Sequence, residues 1–243
     1  MIKKTLKQLI FYLILISLWE ILARSHIWPE YLFPPPLKVL ETLIEGFKNL
    51  SFIIAIGISL KRIIIGYGIS ILFGSALGVL INKFKILDET LGSLILGLQT
   101  LPSICWLPLA LLWFGLNERA IIFVVIMGAL FSITIAIDTG IKHVNPLYIR
   151  IGRNMGARKL ILLKEVIIPA ALPYFVSGLK QGWSFAWRSL MAGELLFVSL
   201  GLGYLLQVGR ELNDMSQVMA VIFIIALISA LIDKCIFSRI ELN

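Results

Sequence analysis

Long apolar stretches without a single charged residue constrain this chain more than any other feature of its sequence. Four of them cover residues 63–82, 90–117, 120–137 and 215–232. A helix that crosses a lipid bilayer needs about 20 mostly apolar residues, so each stretch is long enough to span a membrane. The composition agrees: 59% of the 243 residues are hydrophobic and 15% are charged, whereas soluble domains are about a quarter charged.

Two further stretches complete a prediction of six spans. Residues 170–191 are apolar apart from Lys180 and Arg188, and residues 8–23 follow three lysines near the N-terminus. The N-terminal stretch is similar to a secretory signal, but it lacks a small-residue cleavage site, which favours a retained helix over a cleaved one. The sequence therefore predicts an all-α, polytopic membrane protein with six transmembrane helices.

Residues 1–50 are predicted to hold the first transmembrane helix, an external loop and a surface helix. Residues 28–36 include three consecutive prolines, which cannot continue a helix and mark a loop outside the hydrocarbon. Apolar residues then recur at spacings of three and four, the pattern of an amphipathic helix on a membrane surface. These residues are Leu37, Leu40, Leu43, Ile44 and Phe47. Residues 51–243 are predicted to form a five-helix core.

The basic residues are distributed unevenly between the two sides of the predicted topology. With the N-terminus inside, thirteen Lys and Arg residues fall in inner segments and seven in outer segments. Because cytoplasmic loops carry the excess of Lys and Arg, both termini are predicted to be cytoplasmic. The same distribution accounts for the net charge of +8, so nucleic-acid binding is not expected.

Small residues recur every four positions in two of the spans. Such stripes let helix backbones approach closely in lipid, where no hydrophobic force drives helices together. The residues are Gly66, Ser70, Gly74 and Gly78 in one span, and Gly178 and Gly182 in another. Pro102 and Pro108 interrupt the stretch 90–117, and broken helices are tolerated only against protein or a water-filled path. This span is therefore predicted to lie near a transport pathway.

The longest and most basic inner loop, residues 138–169, separates the fourth and fifth spans. Asn145 and Pro146 are predicted to start a short helix, Gly156 and Ala157 to interrupt it, and a second helix to end at Pro169. Such a surface can bind another protein, or it can bind anionic lipid headgroups. The spacing alone leaves both alternatives open.

This loop resembles the EAA signature of ABC importer permeases. The signature reads E-A-A, three residues, glycine, nine residues and I-x-L-P; Gly156 matches the glycine, and Val166, Ile168 and Pro169 match the final part. Arg150-Ile151-Gly152 stands where the family has E-A-A. The resemblance implies that the loop, about 142–169, couples to a cytoplasmic ATPase subunit. The implied coupling residues are Arg150, Arg153, Gly156, Ala157, Arg158, Lys159 and Pro169.

Other segments resemble the sulfonate/nitrate/taurine branch of these permeases over nearly the whole chain. They are residues 32–36, 101–110, 113–116, 186–194 and 210–215. The resemblance implies the MetI-like permease fold, a homodimer in membrane lipid, cytoplasmic ATPase subunits and an external solute-binding protein. The implied cargo is a small anionic solute such as a sulfonate, nitrate or taurine, with a pyrimidine or thiamine precursor or bicarbonate as alternatives.

ATP hydrolysis is expected in a partner subunit, because the sequence has no G-x-x-x-x-G-K-[ST] loop. There is no nucleophile–base set, and Cys105, Cys235, His26 and His143 lack metal-ligand spacing, so neither catalysis nor a metal or other cofactor is expected. A secondary transporter or channel is the competing class. Such proteins place acidic residues in mid-membrane, whereas the four uncharged stretches hold none.

Lys180, Ser184 and Arg188 are spaced by four residues and therefore fall along one side of a helix. A buried cation costs at least about 2.5 kcal/mol at the centre of a membrane helix, so two of them on one face need a reason. One reason is a positive lining that helps an anion to cross. The alternatives are ion pairs with Glu194 or Glu20, or snorkelling to the interfaces. The candidate translocation path comprises Lys180, Ser184, Arg188, Pro102 and Trp106.

Overall fold

The computed structural model describes residues 2–25, 27–158, 160–196 and 200–237. All regular secondary structure within these ranges is helical, which confirms the all-α prediction. In chain order the helices are α1 (Ile2–Arg24), α2 (Pro36–Lys48), α3 (Ser51–Lys83), α4 (Lys85–Gln99), α5 (Ser103–Phe114), α6 (Glu118–Lys142), α7 (Pro146–Asn154), α8 (Leu160–Leu196), α9 (Leu202–Glu211) and α10 (Met215–Ile232).

Among the described residues, five helices are long and apolar enough to cross a membrane: α1, α3, α6, α8 and α10. α4 and α5 meet the same criterion together, but the chain bends by 105° at the break between them. The count of spans reaches the predicted six when this bent pair is one span. Pro102 lies in the break, as predicted. The predicted break at Pro108 is wrong. α5 begins with a 3-10 turn, Ser103–Trp106, and Pro108 lies in the first turn of the α-helical part that follows, Leu107–Phe114, where its missing N–H is tolerated.

The chain forms two compact units, each made of two segments. The first comprises residues 1–58 and 198–228, and the second comprises residues 59–197 and 229–243. In the first unit Trp19 of α1 stacks on Phe223 of α10, with ring centroids 5.9 Å apart. The indole Nε1 of Trp19 also donates a 3.0 Å hydrogen bond to the carbonyl oxygen of Pro34. These contacts hold the proline-rich loop against α1, and the predicted surface helix follows that loop as α2.

α6 is the central helix of the second unit, because the small-residue stripes of α3 and α8 both pack against it. A Cβ atom at Gly66, Gly74 or Gly78 would lie within 3.0 Å of an atom of α6. The Ser70 hydroxyl donates to the carbonyl oxygen of Ile126 at 3.1 Å. From the other side, Gly178 lies against Ala136 and Gly182 against Ile133. A larger side chain on either stripe would push its helix away from α6.

The helix that begins after Gly156 does not end at Pro169, so that prediction is wrong. The chain remains helical from Leu160 to Leu196. A π turn, Leu163–Ile167, ends two residues before the proline. Its wider hydrogen-bond pattern shifts the backbone register before a residue that cannot donate an N–H. As a result the loop runs directly into the fifth span.

Candidate functional site

α7 is a short helix whose two ends are capped by its own sequence. At its start the Asn145 side chain accepts a 2.9 Å hydrogen bond from the backbone N–H of Leu147, and Pro146 occupies the first helical turn. At its end Gly156 has a φ of +88°. The N–H of Gly156 donates to the Arg153 carbonyl at 3.0 Å, and the N–H of Ala157 donates to the Gly152 carbonyl at 2.9 Å. This pair of bonds is the Schellman ending, for which glycine is preferred.

Gly152 brings α7 into close contact with the beginning of α8. A Cβ atom at this position would lie 2.9 Å from side-chain carbons of both Leu162 and Val166. The segment that stands in place of E-A-A therefore ends in a residue required by packing. A small residue at the last position of the E-A-A triplet, here Gly152, is the sequence signal for this contact. The two helices form a compact hairpin around the turn at Gly156.

The outer surface of this hairpin combines basic and apolar side chains. Arg150, Arg153 and Arg158 are exposed, as are Gly156 and Pro169, while Ala157 is half-buried. Lys159 lies outside the described residues. Exposed apolar side chains accompany the arginines; they are Leu147, Tyr148, Ile151, Met155 and Leu160. A mixed surface of this kind is suited to a protein partner as well as to lipid headgroups.

An ion-pair cluster lies at the base of the hairpin, where α6 ends. Lys142 Nζ is 2.6 Å from Asp88 Oδ1 of α4 and 2.8 Å from Asp138 Oδ2 of α6. Asn82 Nδ2 of α3 donates to the other oxygen of Asp138 at 3.3 Å. The sequence predicts Lys142 within the basic loop, whereas in the structure Lys142 is the last residue of α6 and pairs with Asp88 of α4.

A cavity of about 420 Å³ lies at the bend between α4 and α5. It is lined by residues 98–104 of the bend, by Met127, Gly128 and Phe131 of α6, and by Phe185, Arg188 and Ala192 of α8. Its polar side chains are Gln99, Thr100, Ser103 and Arg188, and none of its lining residues is acidic. The Arg188 guanidinium is 5.4 Å from the centre of the Phe185 ring, and among the described residues it forms no ion pair with a carboxylate.

The structure brings together only part of the candidate translocation path. Pro102 and Arg188 both line the cavity. Trp106 instead packs on Phe131, with ring centroids 6.0 Å apart. Lys180 Nζ is 2.9 Å from Asp233 Oδ1, a partner that differs from the predicted Glu194 or Glu20. The exposed Ser184 hydroxyl donates to the Lys180 carbonyl at 3.2 Å.

Sequence reasoning missed a buried charge network that joins three helices. Arg62 Nη1 of α3 donates to Glu194 Oε1 of α8 at 2.9 Å, and the Ser59 hydroxyl lies within 2.9 Å of both oxygens of that carboxylate. Arg62 Nη2 lies 3.3 Å from Glu118 Oε1 at the start of α6. Glu194 is fully buried and the Arg62 side chain is 3% exposed. A cation inside an apolar run needs such a partner, and this requirement was the available signal.

Comparison with known proteins points to one family. A family model described as "binding-protein-dependent transport system inner membrane component" matches residues 70–238. A putative ABC transporter permease protein of Methanocaldococcus jannaschii is 34% identical over 90% of this chain and 84% of its own. The taurine transport system permease protein of Escherichia coli is 29% identical over 90% and 82%. The nitrate import permease protein of Synechocystis is 26% identical over 96% and 87%.

Proposed function

Because the chain belongs to the family of binding-protein-dependent transport system inner membrane components, we propose that its α7 hairpin docks an ATPase subunit and that its α8 face lines the path of a small anion. The chain is the membrane-spanning permease subunit of an ABC importer. The observation that carries the anion path is Arg188, a cation without an ion-pair partner among the described residues, at the cavity beside the bent span.

The coupling role of the α7 hairpin rests on its shape and surface. The Schellman ending at Gly156 presents an exposed turn, and exposed arginines flank it on both sides. ATP binding of the Walker type needs a glycine-rich loop with a lysine, which this sequence lacks. Energy for transport therefore comes from a separate ATPase subunit, and the hairpin is where that subunit docks. An external binding protein delivers the solute.

The exposed face of α8 supports pairing with a second copy of the chain. Ser177, Gln181, Ser184 and Arg188 recur at helical spacing and are all exposed. α8 is long and apolar enough to cross a membrane, and polar side chains in such a helix face a protein or a water-filled path rather than lipid. A homodimer places two such faces around one shared path, while the exposed apolar side chains of α2 contact membrane lipid.

The solute is a small anion of the sulfonate, nitrate or taurine type. The relatives in Escherichia coli and Synechocystis are named for taurine and nitrate. Arg188 supplies a fixed positive charge at the cavity, and no lining side chain opposes it with a negative charge. An oxyanion gains charge-assisted hydrogen bonds from such a guanidinium, whereas a neutral pyrimidine precursor gains less.

Arg188→Gln is expected to lower uptake of an anionic solute about tenfold or more, because a hydrogen bond to a charged group contributes about 1.5–3 kcal/mol. The measurement is solute uptake into proteoliposomes that hold the permease, its ATPase subunits and its binding protein. Arg188→Lys is the matched control, since it keeps the charge and retains most of the uptake. ATPase docking and dimer assembly are expected to remain normal in both variants.

The anion path is wrong if Arg188→Gln transports at the wild-type rate. It is also wrong if the variant fails to assemble and an added cation on another helix restores assembly, because Arg188 then has a structural role. Solute uptake along an ion gradient by the permease alone, without ATPase subunits, would identify a secondary transporter instead.

Both termini are proposed to face the cytoplasm, because the segments that the sequence assigns to the inner side hold thirteen basic residues against seven in those assigned to the outer side. Single cysteines in place of Lys4 and Asn243, in a variant without Cys105 and Cys235, test this orientation. A membrane-impermeant maleimide added to intact cells is expected to label neither position until the membrane is opened. Labelling of either position in intact cells contradicts the orientation.

A further inference from the structure

We infer that the ion pair between Lys142 and Asp88 ties the transport cavity to the coupling hairpin, so that Lys142 is a positioning residue for transport. The inference rests on the proposed function of the hairpin and goes beyond it by naming the connection to the cavity. One side of the pair belongs to the helix that leads into the hairpin. The other belongs to the helix that ends at the cavity.

On the hairpin side, Lys142 is the last residue of α6, and α7 begins at Pro146. The short connection between them is fixed: Val144 is buried, the His143 N–H donates to the Thr139 carbonyl at 3.0 Å, and Asn145 caps α7. The His143 ring also lies 5.3 Å from the Tyr174 ring of α8. A displacement of α7 by a docked partner is therefore passed to the end of α6.

On the cavity side, α4 is continuous from Lys85 to Gln99 and includes a π turn at Asp88–Gly92. At 1.5 Å per residue it spans roughly 22 Å. Asp88 lies in its first turn, whereas its last residues, Leu98 and Gln99, belong to the cavity wall. A tilt of α4 at Asp88 consequently moves the wall that Arg188 faces across the cavity.

The packing of α4 leaves it room to tilt. Ile95, in the second half of the helix, is buried in a cluster with Phe131 of α6 and Ile81 of α3, and the α4 side chains that pack against this cluster are Leu87, Leu91 and Leu98. Between this cluster and the ion pair lies a second cavity of about 360 Å³, lined on α4 by Asp88, Gly92 and Ser93 and on α6 by Thr134 and Asp138. Close packing resists the displacement of a helix, and this cavity interrupts the packing on the face of α4 that carries Asp88. The Ile95 cluster is the pivot, and the Lys142–Asp88 pair sets the angle.

If the Lys142–Asp88 pair had only a structural role, its removal would lower the stability of the permease together with its transport. The side chains of Lys142 and Asp88 are 42% and 39% exposed, and ion pairs exposed to this degree contribute little to stability. Removal of the pair should therefore leave the unfolding temperature nearly unchanged. A loss of coupling without a loss of stability separates a positioning residue from a structural one.

The experiment uses the full complex of permease, ATPase subunits and binding protein in proteoliposomes, and measures solute taken up per ATP hydrolysed. Asp88→Asn and Lys142→Met are expected to lower this ratio about threefold or more, as for residues within a coupling network. Lys142→Arg restores the ratio. Asp138→Asn is the matched control, because it removes the carboxylate charge that pairs with Lys142 within α6, leaves an amide oxygen to accept from Asn82 of α3, and keeps the ion pair with Asp88.

Two results would overturn the inference: an unchanged ratio in Asp88→Asn, or an equal fall in Asp88→Asn and Asp138→Asn together with a lower unfolding temperature. The first shows that the pair carries no coupling, and the second shows a general structural effect. Failure of the proposed function gives a different result, since the wild-type complex itself would then show no ATP-dependent uptake.

Discussion

Glu194→Gln is expected to destabilise the permease by about 3 to 5 kcal/mol, the cost of removing one partner from a buried ion pair. The carboxylate of Glu194 is fully buried and lies 2.9 Å from Arg62 Nη1. A neutral amide removes the one fully buried carboxylate that faces the guanidinium, and the other carboxylate contact, to Glu118, is longer at 3.3 Å and half-exposed. The measurement is the thermal unfolding of the purified permease in detergent, where the midpoint should fall clearly below that of the wild type.

Glu118→Gln is the matched control for this prediction. Its carboxylate also contacts Arg62, at 3.3 Å, but it is 49% exposed. Water replaces an exposed partner, so this variant should lose no more than about 1 kcal/mol. Both variants remove one negative charge beside Arg62, so a difference between their losses of stability reports the effect of burial. Equal losses in the two variants would contradict the burial argument.

The double variant Arg62→Met with Glu194→Met tests whether stability depends on the balance of charge in this ion pair or on the packing of the two side chains. Replacing both members of a buried ion pair by apolar residues of similar volume is often neutral or stabilising. The double variant should consequently be more stable than Glu194→Gln alone. A double variant that is less stable than the single one would show that Ser59 and the remaining network, rather than the charge balance, depend on these side chains.

Local features of the fold could be predicted from the sequence because each depends on neighbouring residues. Apolar length predicts the spans, Asn145 and Pro146 predict the start of α7, and Gly156 predicts its end. These elements are present in the structure at the expected positions. The error at Pro169 has a local origin as well, since proline is compatible with a helix when a π turn precedes it.

The partners of the charged residues could not be predicted, because they depend on which helices meet. Arg62 and Glu194 are 132 residues apart in the chain, and Lys142 and Asp88 are 54 apart. Periodicity gives the face of a helix on which a residue lies, but not the helix that the face contacts. For the same reason Lys180 and Arg188, which share a helical face, differ in the structure: one pairs with Asp233 and the other lines a cavity.

Gly156→Asp is expected to abolish transport while ATP hydrolysis by the associated subunits continues. The turn at Gly156 is exposed, and apart from its chain neighbours no heavy atom of the described residues lies within 4 Å of the position that a Cβ atom would take. The new side chain therefore fits within the permease itself, and its bulk and charge meet the docked ATPase subunit. The positive φ of +88° adds a backbone cost of about 1–2 kcal/mol for a residue with a side chain. Uptake and ATP hydrolysis are measured together in proteoliposomes.

Gly115→Asp separates the docking effect from the backbone cost. Gly115 also has a positive φ, +71°, and its Cβ position likewise has no atom within 4 Å in the part of the chain that the structure describes, chain neighbours aside, but it lies outside the hairpin. Gly115→Asp should lower the unfolding temperature at least as much as Gly156→Asp, because Gly115 combines its positive φ with a ψ of −169°, a region that is essentially restricted to glycine. Only Gly156→Asp should separate ATP hydrolysis from uptake. Normal uptake in Gly156→Asp, or an equal loss in Gly115→Asp, would mean that the turn at Gly156 is not the point of contact with the ATPase subunit.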